Sequence, residues 1–133
     1  GDAELVVGSR SLGSRQSGSM TPQQVFGNRL AAVLMRGIYG AWVTDLGPFR
    51  AIRRDHLLAL RMSERTYGWS VEMMVKAARA GYRYREVTVT YKRRIGVSKV
   101  RGTLRGSVLA GWYIISTIVK YRRWTPTARQ GPR

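Results

Sequence analysis

The stretch ELVVGSR, Glu4 to Arg10, brings an apolar run into the first ten residues of the chain. A short continuous apolar run reads as a buried strand. A buried strand commits the remainder to supplying partners and cover, so the sequence must build a sheet and something to lay on it. With 133 residues and 44% hydrophobic content, there is room for one domain around a single core and not comfortably for two.

The rest of the sequence reads as helices and strands in alternation. SRSLGSRQSGSM, rich in Gly and Ser, predicts an exposed, mobile loop. Thr21-Pro22 predicts a helix start, with Thr as cap and Pro where its missing donor costs nothing. Phe26, Leu30, Val33 and Leu34 follow at helical spacing and predict the buried face, the helix ending near Gly37 or Gly40. AWVTDLGPFRAI reads as two short extended pieces about a Leu46-Gly47-Pro48 turn, and Asp55 as the cap of a short helix to Leu60 in which His56 is structural. Ser70 is the expected cap of a further helix burying Val71, Met74, Val75 and Ala78, with Gly81 as its left-handed terminator. YREVTVTYKRR predicts a strand with Val87, Val89 and Tyr91 on one face. A last helix, Ser107 to Tyr121, is almost uncharged but well short of the ~20 residues that cross a bilayer, so it is either a core helix or one lying at an interface. The expected class is α/β.

Composition removes several chemistries. There are no cysteines and only one histidine, His56, which excludes disulfides, thiolate nucleophiles and zinc-cysteine sites and leaves no His cluster. Lys and Arg number 24 against seven acids, a formal charge of +17, which points to a polyanionic partner: nucleic acid, anionic lipid or a phosphorylated small molecule. The chain opens Gly-Asp-Ala and is soon in an apolar run, so it is expected to be a fragment, and with no secretory leader pattern at its start nothing argues for secretion.

Where acids are scarce, each one bears on function. Asp45, in VTDLGPFRAIRRD, is either a turn aspartate bonding its own backbone or a general base beside a cationic pocket formed by Arg50 with Arg53 or Arg54. YKRRIGVSKV sets Arg94 and Lys99 around Gly96-Val97-Ser98, which is either a solvated edge or a phosphate cradle of fixed charge, hydroxyl and backbone donors. Glu72, in the first turn of its helix, either complements the helix dipole or orients an arginine of the site.

Taken together, VVGSR, FGNRLA, TDLGPFRAI, YGWSVEMMVKAARAGYRYREVTVTY and RRIGVSK occur in the order and rough spacing of the C-terminal half of family-2 glycosyltransferases. Over Glu4 to Lys99 the chain resembles the dolichyl-phosphate mannose synthase and polyprenyl-phosphate glycosyltransferase branch. The resemblance implies the C-terminal half of a GT-A fold, with a mixed sheet and packing helices, over residues 1–121 and a basic tail over 122–133. It implies an inverting enzyme that moves a sugar from a nucleotide-sugar donor to a lipid phosphate, peripheral to the cytoplasmic face of a membrane, with Mg²⁺ or Mn²⁺ in the full-length protein. It places Asp45 in a catalytic or acceptor-orienting role, Arg10, Asn28, Arg50, Arg94, Ser98 and Lys99 at phosphate or acceptor, and Glu72 in support. Met20 and Gln24 stand where that branch carries an Arg and a Ser, and Arg15 is the expected substitute. The opening nucleotide-binding strand and the Asp-x-Asp metal motif are absent, so this chain alone is expected to be inactive and to hold no metal. The rival expectations are a basic nucleic-acid-binding module, which the resemblance does not favour, and a non-catalytic domain that binds anionic membranes.

Overall fold

The computed structural model describes residues 2–93, 95–96 and 104–126. Its elements follow as β1 (Leu5–Ser9), α1 (Pro22–Tyr39), β2 (Arg50–Ile52), α2 (Arg54–Ala59), α3 (Trp69–Arg79), β3 (Tyr84–Thr88) and α4 (Leu104–Lys120), the last running into a 3₁₀ turn at Tyr121–Arg123. The expected order holds, except that the strand pair around Gly47-Pro48 reduces to β2 alone. The three strands form a mixed sheet ordered β2-β1-β3. β1 runs antiparallel to β2 and parallel to β3, so the apolar run is the central strand.

Leu5 and Val7 are fully buried and join α1, α3 and α4 in one core through Ala31, Met35, Val71, Met74, Val75 and Ile118. Register sets Tyr84 beside Leu5 and Glu86 beside Val7, so the face of β3 that meets this core carries Tyr84 and Glu86. Val87, expected inside, is instead exposed, and Val89 and Tyr91 lie beyond the strand. The hydrophobic alternation pointed to the valines, whereas the register imposed by β1 turned the tyrosine and the glutamate inward.

α1 shows how local and tertiary signals separate. Its start is a capping box in which Thr21 accepts from Gln24 N–H and the Gln24 side chain accepts from Thr21 N–H; Gly40 closes it at φ 66°. These ends were legible because they are local. The buried face was not: Ala31 and Met35 pack, while Phe26 and Val33 are 69% and 67% exposed. Small Ala31 admits close approach by α3 and α4; of the expected stripe Leu34 packs against the core and Leu30 is half-buried, while Phe26 and Val33 turn outward.

At α3 the cap is Gly68 and Ser70 lies inside the helix, while Gly81 terminates the turn at φ 68° as expected. Asp55 likewise sits in the first turn of α2 rather than at its cap, and is exposed in a pair with Arg53. His56 packs edge-on against Tyr82, a structural placement. The Gly/Ser-rich loop is also more ordered than its composition predicts. Arg15 bridges Tyr91, and the Gln16 side chain accepts from Arg93 N–H.

α3 buries seven consecutive residues, Val71 to Ala77, including a charge pair. Glu72 accepts from Ser63 N–H, Ser63 Oγ–H and Glu64 N–H, and meets Lys76 Nζ at 2.6 Å. Lys76 donates also to Arg61 O and lies over the rings of Tyr121 and Trp124. The pair thus ties α3 to the preceding loop and to the end of α4. Arg79 Nε adds a bond to Trp124 O, which folds the start of the basic C-terminal segment onto the same helix.

Burial raises the Glu72 pKa, but the Lys76 ammonium and the Ser63 and Glu64 N–H donors outweigh it and bring the group to about 2 from 4.5. A folded-state pKa below the unfolded one contributes stability that is fully present above about pH 4.5 and is lost as pH falls toward about 2. Glu72→Gln, which strands the Lys76 charge, is expected to lower stability at neutral pH by about 3 kcal/mol. It should also flatten the acid limb of a denaturation profile, and an unchanged limb would assign that limb to other carboxylates.

Candidate functional site

The candidate site forms where the chain leaves β1. Asp45 is fully buried, and its partner is not its own turn but Arg10, 35 residues earlier. Oδ2 accepts from Arg10 N–H at 2.7 Å and Nε–H at 2.8 Å, and Oδ1 accepts from Nη2–H at 2.7 Å. This is a fork-to-fork pair with an added backbone donor, the strongest arrangement available to a carboxylate and an arginine. It raises the Arg10 pKa further above its usual value, through the Asp45 bond and against a smaller cost of burial. The Arg10 guanidinium also stands 5.2 Å from the Tyr91 ring centre. The turn-aspartate reading is therefore corrected: the bonds that hold Asp45 are long-range.

Gly47 makes this approach possible. A Cβ there would lie 2.9 Å from Gly8 O, 3.3 Å from Asp45 Oδ2 and 3.5 Å from Arg10 Nε, so a side chain would press on both strand and ion pair. Asn28 reaches from α1 and brackets the aspartate, donating through Nδ2 to Thr44 O and accepting at Oδ1 from Leu46 N–H. Glu86, from β3, accepts from Thr44 N–H and Oγ1–H and from Asp45 N–H. Ser9 Oγ is 2.7 Å from Thr44 Oγ1.

Arg50 sits differently from the expected cationic pocket. Its guanidinium is turned into the protein, donating to Ser70 O, Leu46 O and Gly47 O, while Nε is buried without a partner. Burial lowers its pKa to about 10, partly offset by the pull of Asp45. In this structure Arg50 clamps the Asp45 turn to the start of α3. Arg53 is occupied by Asp55. Glu72 stands apart from this cluster, its bonds going to Ser63, Glu64 and Lys76; it lies in the first turn of α3, as helix-dipole compensation expects, and meets none of the arginines of the site in these bonds. Arg94, Ser98 and Lys99 lie outside the described residues.

In the loop that follows β1, residues 15–20 line with Val25 a cleft of about 260 Å³. Arg15 is exposed there, its Nη1 3.8 Å from Met20 Sδ, and Ser19 Oγ is buried without a partner. Among the described residues no group of three His, Asp or Glu side chains converges to hold a metal ion. The Mg²⁺ or Mn²⁺ implied by the resemblance therefore finds no fitting ligand set among them.

Sequence reasoning missed Ser9, Thr44 and Glu86. A signal for one of them was present: Glu86 is the only acid in the alternating strand segment YREVTVTY.

No family model matches the chain, and no solved structure matches it. Curated proteins do. The chain is 45% identical over 78 residues to proteins named uncharacterized glycosyltransferase from Mycobacterium bovis and Mycobacterium tuberculosis, a match covering 56% of this chain and 36% of theirs. It is 29% identical over 132 residues to the undecaprenyl-phosphate mannosyltransferase of Micrococcus luteus, covering 96% of this chain and 51% of that protein. The chain thus spans about half, or less, of the length of the relatives it matches. The likeness read from the motifs is accordingly a homology, over part of their length, to glycosyltransferases that include one of the polyprenyl-phosphate type.

Proposed function

We propose that residues 1–121 form the C-terminal part of the GT-A domain of an inverting, family-2 glycosyltransferase, with 122–133 as a basic extension. The enzyme would move a sugar from a nucleotide-sugar donor to a lipid phosphate at a cytoplasmic membrane face, with metal ligands supplied by another part of the protein. The observation that carries this reading is the buried Arg10–Asp45 pair at the end of β1, bracketed by Asn28. The Micrococcus luteus relative, named for a polyprenyl-phosphate acceptor, supports it.

The chemistry suits that acceptor class. A phosphate monoester is already ionised near neutral pH and needs no strong base to attack an anomeric carbon. An aspartate saturated by one arginine is a poor base but a good anchor, since it holds a guanidinium at a fixed place with its charge undiminished. On this reading Asp45 orients Arg10 toward phosphate, and Arg15 in the cleft of residues 15–20 supplies a second cation in place of the residues absent at Met20 and Gln24. Arg94, Ser98 and Lys99 would complete the phosphate contacts.

No helix among the described residues is long and apolar enough to cross a membrane. α4 nevertheless leaves Leu104, Val108, Trp112 and Val119 exposed along one side, next to Arg105 and Lys120, and has no acid of its own. α1, which packs against it, exposes Phe26 and Val33 beside Arg29 and Arg36 and is equally free of acids. Apolar side chains rimmed by cations fit the surface of an anionic bilayer, and these faces are proposed to rest there.

In the complete transferase, Asp45→Asn is expected to cut transfer by about 100-fold through loss of orientation. It should also cost about 3 kcal/mol of stability, because Arg10 is left charged and unpaired. Pairing it with Arg10→Gln should restore most of the stability and none of the transfer; recovery of transfer would remove both residues from the site. For the membrane face, Trp112→Ser with Val108→Ser should weaken flotation of the chain with anionic vesicles at moderate salt by about tenfold while leaving its fold intact. Equal flotation of variant and parent, competed by DNA, would assign the binding to general charge.

A further inference from the structure

The stretch that carries Asp45 lies between α1 and β2 outside the named strands; Phe49 O, accepting from Gly8 N–H at 2.7 Å, continues the β1–β2 pairing, and residues 44–46 lie ahead of it. The N–H groups of Thr44, Asp45 and Leu46 and the Thr44 carbonyl are bonded there by side chains. Glu86 Oε1 accepts from Thr44 N–H at 2.8 Å and Asp45 N–H at 3.3 Å, and Asn28 takes Leu46 N–H and gives a bond to Thr44 O. A carboxylate on β3 and an amide on α1 thus do the work of a missing neighbouring strand.

The order of the hydroxyls extends the point. Thr44 Oγ1 is 2.8 Å from Glu86 Oε2 and 2.7 Å from Ser9 Oγ, and Leu12 N–H donates to Ser9 Oγ at 3.1 Å. An ionised carboxylate has no proton to give, so Thr44 must donate to Glu86. Its oxygen is then left to accept from Ser9, whose own oxygen accepts from Leu12. Every donor points the same way: Leu12 N–H to Ser9, Ser9 O–H to Thr44, Thr44 O–H to Glu86.

We infer that Glu86 is the positioning residue of Asp45, the common acceptor that ends this one-directional chain and fixes the backbone from which the Asp45 carboxylate meets Arg10. The chain links the loop after β1, where the cleft of residues 15–20 begins, through the central strand to the Asp45 segment and on to β3. Thr44 is exposed, so the hold comes from the number of bonds and the charge of the acceptor rather than from dryness. The catalytic consequence rests on the glycosyltransferase reading above; the hydrogen-bond order does not.

The test is NMR of this chain, with turnover of the complete enzyme as a separate arm. Glu86→Ala should abolish hydrogen-exchange protection of the Thr44 and Asp45 amides and speed exchange of the Arg10 Nε–H by about tenfold, as the ion pair loses its fixed partner. Glu86→Gln should rescue both, since its carbonyl accepts the two amides and its NH₂ donates to Thr44 Oγ1. In doing so it reverses the Ser9–Thr44 bond, which the Thr44 hydroxyl proton reports. Glu86→Ala with wild-type exchange at Arg10, Thr44 and Asp45 would overturn the inference. Should that variant not fold, Glu86→Gln decides: retained Arg10 protection supports the role and lost protection overturns it. In the complete enzyme Glu86→Ala should lower kcat by about tenfold at unchanged donor KM, with rescue by Gln. NMR effects as expected with unchanged kcat would leave the positioning in place and sink the reading of Asp45 as a site residue.

Discussion

The structure around the site depends on one long-range contact, the pairing of Asp45 with Arg10. It fastens an irregular segment, 41–49, to the end of the central strand, and Glu86, Asn28 and Arg50 hold the same segment from β3, α1 and β2. A buried carboxylate is tolerable only when its lone pairs are occupied and its charge is answered. Arg10 does both at once, with three donors from one residue. The cost is that the geometry becomes rigid, and Gly47 is the place where that rigidity shows, since no side chain fits between the strand carbonyl and the pair.

The same economy runs through the molecule. In a chain of seven acids and 24 cations, most acids act as connectors between distant segments. Glu4 joins β1 to Arg83 ahead of β3, Glu64 meets Lys120 and Tyr121, Glu72 gathers the 61–64 loop and Lys76, and Glu86 holds the Asp45 segment. Among the described residues Glu4, Asp45, Asp55, Glu64 and Glu72 each meet a cation in an ion pair. The surplus positive charge, set by 24 Lys and Arg against seven acids, is large enough to attract a polyanion.

How far the sequence revealed this depended on the range of each interaction. The cap of α1 and the left-handed residues at Gly40 and Gly81 were legible, because capping and turn chemistry act over three or four residues. The central strand was legible as a continuous apolar run. The faces were not. α1 carries two apolar arcs, one of Phe26 and Val33 and one of Ala31 and Met35, and periodicity cannot say which of them meets another helix. On β3 the valines made the stronger pattern, but parallel register with β1 set Glu86 inward, where its partners come from residues 44 and 45. Asp45 was singled out by scarcity and by resemblance, yet local turn logic assigned it the wrong partner, because Arg10 lies outside any window such logic can see.

These two levels meet in the chemistry proposed for the site. A transferase that activates a hydroxyl needs a carboxylate free to take a proton, and such a group is left partly solvated or weakly bonded. Asp45 is the opposite, with both oxygens engaged and no exposure. That arrangement would be a defect in a general base, but it is an asset where the nucleophile is already an anion and the difficulty is to bring it in, hold it in line and offset its charge. The features that run against catalysis by proton transfer, a saturated aspartate and an arginine with its charge reinforced, are compatible with the phosphate acceptor proposed above. On the proposed reading, the bonding state of this one carboxylate bears on the acceptor class more directly than the excess of cations around it does.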